Sequence, residues 1–252
     1  MRRFLLPSLP ETLVEPELSL PAEVAHHLTT VLRLAPGSRL QLGDGQGRWA
    51  EAELLTAQRH QARVRLVRLG YQAETALPLV LLQALPAGDK FDWIVQKNTE
   101  LGVGAFVPLI SERCQAAARA QGERQRKRQR WQRIAEEAAR QSGRAHVPSV
   151  GEPCSLAEAL SGCDAALRLV PWEESDLPLA AALPVAAPAS MAVLIGPEGG
   201  LSAADLALAS AAGFIPVALG PRILRTETAG MALAAILQFR YGDLAEGVPE
   251  SV

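Results

Sequence analysis

Residues 191–202 read MAVLIGPEGGLS: five apolar residues run straight into a glycine-rich turn that ends on Ser202, with Asp205 three residues further on. So short an apolar run suits a strand covered on both faces. Ser202 and Asp205 have the spacing of a capping box that opens a helix. Strand, glycine turn and helix in that order are the building unit of a parallel α/β sheet, and in such sheets ligands bind at the carboxyl ends of the strands. Glycine lets the backbone approach a ligand closely and take positive φ. Two phosphate-binding motifs are excluded, because there is no G-x-x-x-x-G-K-[ST] and Gly196-Pro197-Glu198-Gly199-Gly200 is not G-x-G-x-x-G. On local chemistry alone, a purely structural turn remains an open reading.

A second loop of the same kind, residues 219–229 (LGPRILRTETA), follows the next apolar run. Two such loops at neighbouring strand ends can enclose one ligand. Residues 171–252 hold three basic against nine acidic side chains, so Arg222 and Arg225 stand out there. Cations beside a ligand loop suit a phosphate or carboxylate, with surface pairing as the alternative. Glu227 reads either as a reactive carboxylate or as a favourable acid in a helix's first turn, with Thr226 or Thr228 as N-cap.

Working outward, short apolar runs at Leu79–Ala84, Ala105–Ile110, Ala165–Val170, Met191–Ile195 and Ile215–Leu219 alternate with helical stretches at Phe91–Leu101, Glu123–Ser142, Leu156–Leu160, Ala203–Ala212 and Thr228–Tyr241. This predicts an α/β domain with a mostly parallel sheet. Residues 1 to about 70 read differently. A helical stretch over Ala22–Leu34 precedes a strand at Ser38–Leu42, a hairpin turn at Asp44-Gly45-Gln46-Gly47, and an alternating strand over Ala62–Leu69. That strand sets Val64, Leu66, Val67 and Leu69 against Arg63, Arg65 and Arg68. The polar stretch from Gly70 to Leu77 marks the boundary, giving domains 1–72 and 73–252.

The chain has 252 residues, 48% of them hydrophobic, and a net charge of -2. That is a globular composition, and disorder and coiled coil are excluded. Pro178, Pro184 and Pro188 interrupt the longest apolar stretch, so no membrane helix is expected, and the start MRRFLLP lacks a signal-peptide core. A cytoplasmic protein is expected. Cys114, Cys154 and Cys163 match neither a zinc nor a redox spacing, and His26-His27 has no ligand partner at metal spacing, so no metal is expected. Residues 119–144 concentrate nine basic groups, among them Arg119, Arg124, Arg126, Lys127 and Arg130, against three glutamates. Such a run suits either a solvated helix face or a polyanion.

Taken together, IGPEGGLS and LGPRILRTETA, with HHLTTVLR (26–33), QKNTELG (96–102), PLISERC (108–114) and EAARQSGR (137–144), resemble the ribosomal RNA small-subunit methyltransferase E family in order along nearly the whole chain. The resemblance implies a PUA-like β-barrel over 1–72 and, over 73–252, a SPOUT-type α/β domain tied in a trefoil knot. Knots are very rare, and nothing in the periodicity points to one. It implies a cytoplasmic homodimer that uses S-adenosyl-L-methionine, without a metal, to methylate N3 of a uridine in 16S rRNA of the small ribosomal subunit.

Carried onto this sequence, the cofactor residues are Ile195, Gly196, Pro197, Glu198, Gly199, Gly200, Leu219, Gly220, Ile223, Leu224, Arg225 and Thr226, with a further contact loop in 170–174. Arg225 is the electrophilic candidate and Glu227 the candidate base. RNA contacts are expected from Arg2, Arg3, Arg63, Arg65, Arg68, Arg124, Arg126, Lys127 and Arg130. Two other readings stay open: a non-catalytic RNA-binding assembly factor, and a SPOUT ribose 2′-O-methyltransferase.

Overall fold

The computed structural model describes residues 2–14, 16–74, 77–114 and 121–245; of Arg2 and Gln121 only the backbone is described. Arg119 and the side chain of Arg2 therefore lie outside the described residues. The chain divides into two compact units, Met1–Glu74 with Ala139–Val147, and Thr75–Ala138 with Pro148–Val252.

In the first unit, β1 (Arg2–Leu5), β2 (Glu17–Leu20), β3 (Arg39–Gly43), β4 (Arg48–Gln58) and β5 (Gln61–Tyr71) form one sheet in the order β1-β3-β4-β5-β2. Alternation does the sorting: in β5, Val64 and Leu66 are buried while Arg63 and Arg65 point to solvent. Leu28, Leu40, Leu42 and Leu54 are completely buried in its core. The stretch expected to be one helix, Ala22–Leu34, is α1 (Ala22–His26) continued as a π-helical turn over His27–Val31. It stops because Arg33 takes a left-handed φ of 50°. β1 and β2 have no counterpart in the sequence reading; each is four residues long, too short to show a period.

The second unit holds a seven-stranded sheet, parallel at every pairing, in the order β12-β10-β11-β6-β7-β8, with β9 also on β7. Its strands are β6 (Leu79–Ala84), β7 (Ala105–Ile110), β8 (Ser149–Val150), β9 (Cys154–Ser155), β10 (Leu167–Pro171), β11 (Met191–Ile195) and β12 (Ile215–Val217). The helices are α2 (Lys90–Glu100), α3 (Gln121–Ser142), α4 (Leu156–Ser161), α5 (Leu179–Ala182), α6 (Ala203–Ala211) and α7 (Thr226–Tyr241). Every residue of β11 is buried, as a strand covered on both faces requires. Leu82, Ala84 and Leu194 pack with α4 and α6, whereas Leu81 lies against Gly230 of α7.

Among the expected runs, the third begins at Leu167 rather than Ala165, and the last ends at Val217 because the chain leaves the sheet to approach the site; the two-residue β8 and β9 have no counterpart in the sequence reading. Among the described residues no helix is long and apolar enough to cross a membrane.

Phe106 lies on β7 beside Leu81 and is 1% exposed. Phe106→Ala is expected to cost about 3–5 kcal/mol and to lower the melting temperature by roughly 10 °C in a circular-dichroism melt. A shift below a couple of degrees would show that the sheet core does not limit stability.

Candidate active site

After β6 the chain builds outward through β7 and β8, then crosses to the other side of β6 to lay down β10, β11 and β12. A reversal of this kind leaves a crevice at the carboxyl ends of the strands. Here the end of β10 and the residues that follow it (Pro171–Glu173), the residues after β11 (Gly196–Leu201) and those after β12 (Ala218–Arg225), with the first turn of α7, line one cleft of 540 Å³. That volume lies in the ordinary range for small-molecule sites.

Buried hydrogen bonds fix its walls. The Thr226 hydroxyl donates to the Gly196 carbonyl at 2.6 Å and accepts from Gln83 Nε2 at 2.9 Å, tying the start of α7 to the ends of β11 and β6. Ser202 and Asp205 make the expected capping box at the head of α6. Thr226 and Thr228 do not cap α7: the N-cap is Arg225, without a side-chain bond, because the Thr226 hydroxyl is spent on Gly196. Gly200 and Gly220 sit at φ of 69° and 95°, which only glycine adopts freely.

The polar groups are few and distinct. Glu227 Oε2 is buried without a hydrogen-bond partner. Arg222 and Arg225 are exposed, and Ile223 between them is 84% exposed. Glu198 accepts from Lys90 Nζ at 2.7 Å and from the Ala87 N–H at 3.1 Å. Burial pushes its carboxyl pKa up, but these donors and the Lys90 charge outweigh burial and hold it below the usual carboxylate range.

The structure gathers Ile195, Gly196, Pro197, Glu198, Gly199, Gly200, Leu219, Gly220, Ile223, Leu224, Arg225, Thr226 and Glu227 around this one cleft. It adds Pro171, Trp172 and Glu173, from the segment 170–174, whose composition carries no glycine signal. The Trp172 N–H donates to the Val217 carbonyl at 3.0 Å, which carries that segment over the end of β12.

The cationic residues lie elsewhere and are largely engaged. Arg63 and Arg65 pair with Glu17 at 2.6 and 3.5 Å; Arg68 pairs with Glu51 at 2.9 Å and covers Trp49. Arg3 donates to the carbonyls of Gly143 and Arg144, and burial works against its charge. On α3, Lys127 pairs with Glu123 at 3.1 Å and Arg130 with Asp89 and Asp92, while Arg126 is exposed and Arg124 half-buried. His26 stacks on His60, and no metal-binding cluster occurs among the described residues.

Residues 73–238 match the family described as RNA methyltransferase domain, and residues 20–67 match the RNA methyltransferase PUA domain. The chain is 32% identical over 246 residues to ribosomal RNA small subunit methyltransferase E of Bacillus subtilis, covering 94% of this chain and 96% of that one. It is 38% identical over 232 residues to the Synechocystis protein of the same name, covering 90% of this chain and 75% of that one. Among solved structures, ribosomal RNA small subunit methyltransferase E of Neisseria gonorrhoeae bound to S-adenosyl methionine is 33% identical. It superposes with a TM-score of 0.87 over 97% of this chain and 99% of that one.

Thr226→Val keeps the shape of the side chain but removes the donor to the Gly196 carbonyl and one of the two acceptors of Gln83 Nε2, which keeps only its bond to the Ala84 carbonyl. It is expected to cost about 1–3 kcal/mol in chemical denaturation, with Thr226→Ser recovering most of the loss. Equal stability of the valine variant would show that the junction carries no load.

Proposed function

The chain belongs to the ribosomal RNA small subunit methyltransferase E family, and from that membership we propose that it methylates N3 of a uridine in 16S rRNA of the small ribosomal subunit. It is an S-adenosylmethionine-dependent RNA methyltransferase. The observation that carries the finer reading is the cleft itself, where a partnerless buried carboxylate oxygen of Glu227 sits two residues from the exposed guanidinium of Arg225.

The residues present fit the cofactor. A 540 Å³ cleft lined by glycine backbone and by Ile195, Leu201, Leu219 and Leu224 suits a nucleoside, and the guanidinium groups of Arg222 and Arg225 suit a charged tail. Ile195–Gly200, with Leu219, Gly220 and Ile223–Thr226, would hold it. S-adenosylmethionine supplies, when bound, a sulfonium-activated methyl group open to direct displacement.

Uridine N3 carries a proton that is not lost readily at neutral pH, so the nitrogen needs a base or a cation on the developing oxyanion. Glu227 takes that proton on Oε2. Arg225 stabilises the negative charge that grows on O2 or O4 as the N3 proton leaves. Holding the base against the methyl group supplies much of the remaining rate.

For the RNA we assign backbone contacts to Arg2, Arg3, Arg63, Arg65 and Arg68 on a PUA-like barrel over 1–72, and to Arg124, Arg126, Lys127 and Arg130 on α3. The target base must leave its stack to enter the cleft. We further infer a trefoil-knotted domain over 73–252, a homodimer, and action in the cytoplasm. Dimerisation is supported by an apolar groove of 560 Å³ that includes Leu183, Leu224 and Ile236, with Phe239 of the same helix 66% exposed.

Purified protein, labelled S-adenosylmethionine and small subunits lacking the modification are expected to yield 3-methyluridine in nucleoside mass spectrometry. Label in a ribose would move the assignment to 2′-O-methylation; subunit binding without label would favour an assembly factor. Glu227→Gln is expected to lower kcat by about 10²- to 10⁴-fold with little change in cofactor affinity, and an unchanged kcat would remove it from the mechanism. Light scattering is expected to give twice the chain mass, with Ile236→Asp shifting the protein to monomer. A monomeric wild type would overturn the dimer.

A further inference from the structure

The glycine loop is held from outside as well as by its own strand. Glu198 accepts from Lys90 Nζ at 2.7 Å and from the Ala87 N–H at 3.1 and 3.4 Å, and both donors belong to the segment that leads from β6 into α2. Arg113, just beyond β7, donates to the carbonyl of the very next residue, Gly199, at 3.0 Å. Its side chain also lies against Gly199, since a Cβ there would sit 3.5 Å from Arg113 Cβ. Two cations from neighbouring strand ends thus grip consecutive residues of the loop that lines the cleft.

The magnitudes separate two roles. Lys90 and Glu198 are each about a third exposed, and pairs of that kind contribute little to global stability. A loop that must present its backbone to a ligand gains more, because every conformation removed beforehand is ordering that binding no longer has to supply. Glu198 is otherwise poorly suited to touch the cofactor with its side chain, since its oxygens are already engaged.

We propose that Lys90 and Arg113 are positioning residues that hold the Gly196–Gly200 loop in its cofactor-binding conformation, Lys90 through Glu198 and Arg113 through the Gly199 carbonyl. This rests on the cofactor reading of the cleft. Glu198 then serves as the loop's anchor.

The test is calorimetric titration of S-adenosylmethionine into the full chain and into Lys90→Met, Lys90→Arg, Arg113→Met and Glu198→Gln. Lys90→Met and Arg113→Met are each expected to bind about tenfold more weakly, with melting temperatures within about 2 °C of wild type. Lys90→Arg should restore most of the affinity, since an arginine N–H can also reach the carboxylate. Adding Glu198→Gln to Lys90→Met should weaken binding no further, because both act on one contact.

A carbon-detected NMR titration should show the Glu198 carboxyl midpoint rising in Lys90→Met, which a general loss of stability would not produce. Lys97→Met, on the same helix but paired with Glu100, serves as the control. Unchanged affinity in both Lys90→Met and Arg113→Met would overturn the proposal, as would an equal loss in the control. If Lys90→Met does not fold, Glu198→Gln decides, and wild-type affinity there sinks the Lys90 arm. A wild-type chain that takes up no S-adenosylmethionine would remove the cofactor reading and this proposal together, whereas binding that is equal in all variants removes only the proposal.

Discussion

A single hydroxyl fixes the geometry of the cleft. Where β11 ends, the Gly196 carbonyl has left the sheet ladder and needs a donor, since a buried unpaired carbonyl is costly. Thr226 supplies it at 2.6 Å while accepting from Gln83, itself fully buried on the neighbouring strand. Because Thr226 is also the first residue of α7, the bond places the last helix across the two central strands. The loop before it, 218–225, must then pass close to the glycine loop after β11. Both walls of the cleft follow from that contact.

Charge is distributed differently in the fold from what the sequence suggests. Residues 63–68 look like a cationic stripe, yet Glu17 and Glu51 face those arginines across the sheet. Such exposed pairs are weak, so a polyanion can displace the carboxylates at little cost. Arg222 and Arg225 make no ion pair among the described residues, although their third of the chain is acidic. Unengaged cations thus border the cleft, while the cations on the open face of the first sheet are already paired.

Much of the second unit was legible because its strands are buried on both faces and therefore appear as plain apolar runs. β6, β7 and β11 fall at the expected residues, and the capping box at Ser202 needed only local chemistry. What escaped had non-local causes. β1 and β2 are strands because they pair with β3 and β5, not because four residues of RRFL or ELSL carry a period. The loop in 170–174 was expected only from the family resemblance: Trp172 and Glu173 reach the cleft because β10 ends beside β12, a neighbour that follows it by more than forty positions and that no window can see. The N-cap reading of Thr226 failed for the same reason, since Gly196 lies thirty residues away. The loops around the cleft were legible as glycine-rich strand ends, whereas the contacts of Lys90 and Arg113 with them depend on sheet order.

The helix starts show where the fold gives up local stability. α4 and α6, on one face of the sheet, both open with complete capping boxes. α2 and α7, which pack on each other across the other face, open with none. At α2 the N-cap Asp89 pairs with Arg130 at 3.3 Å; at α7 the N-cap is Arg225, which carries no acceptor, and the hydroxyl of the next residue, Thr226, goes to Gly196. A missing cap costs about 1 kcal/mol. At α7 it leaves the first-turn N–H groups beside the cleft, where Glu227 is already the nearest negative charge on the helix. The positive end of the helix and the buried, partnerless oxygen of Glu227 therefore meet at the same cleft.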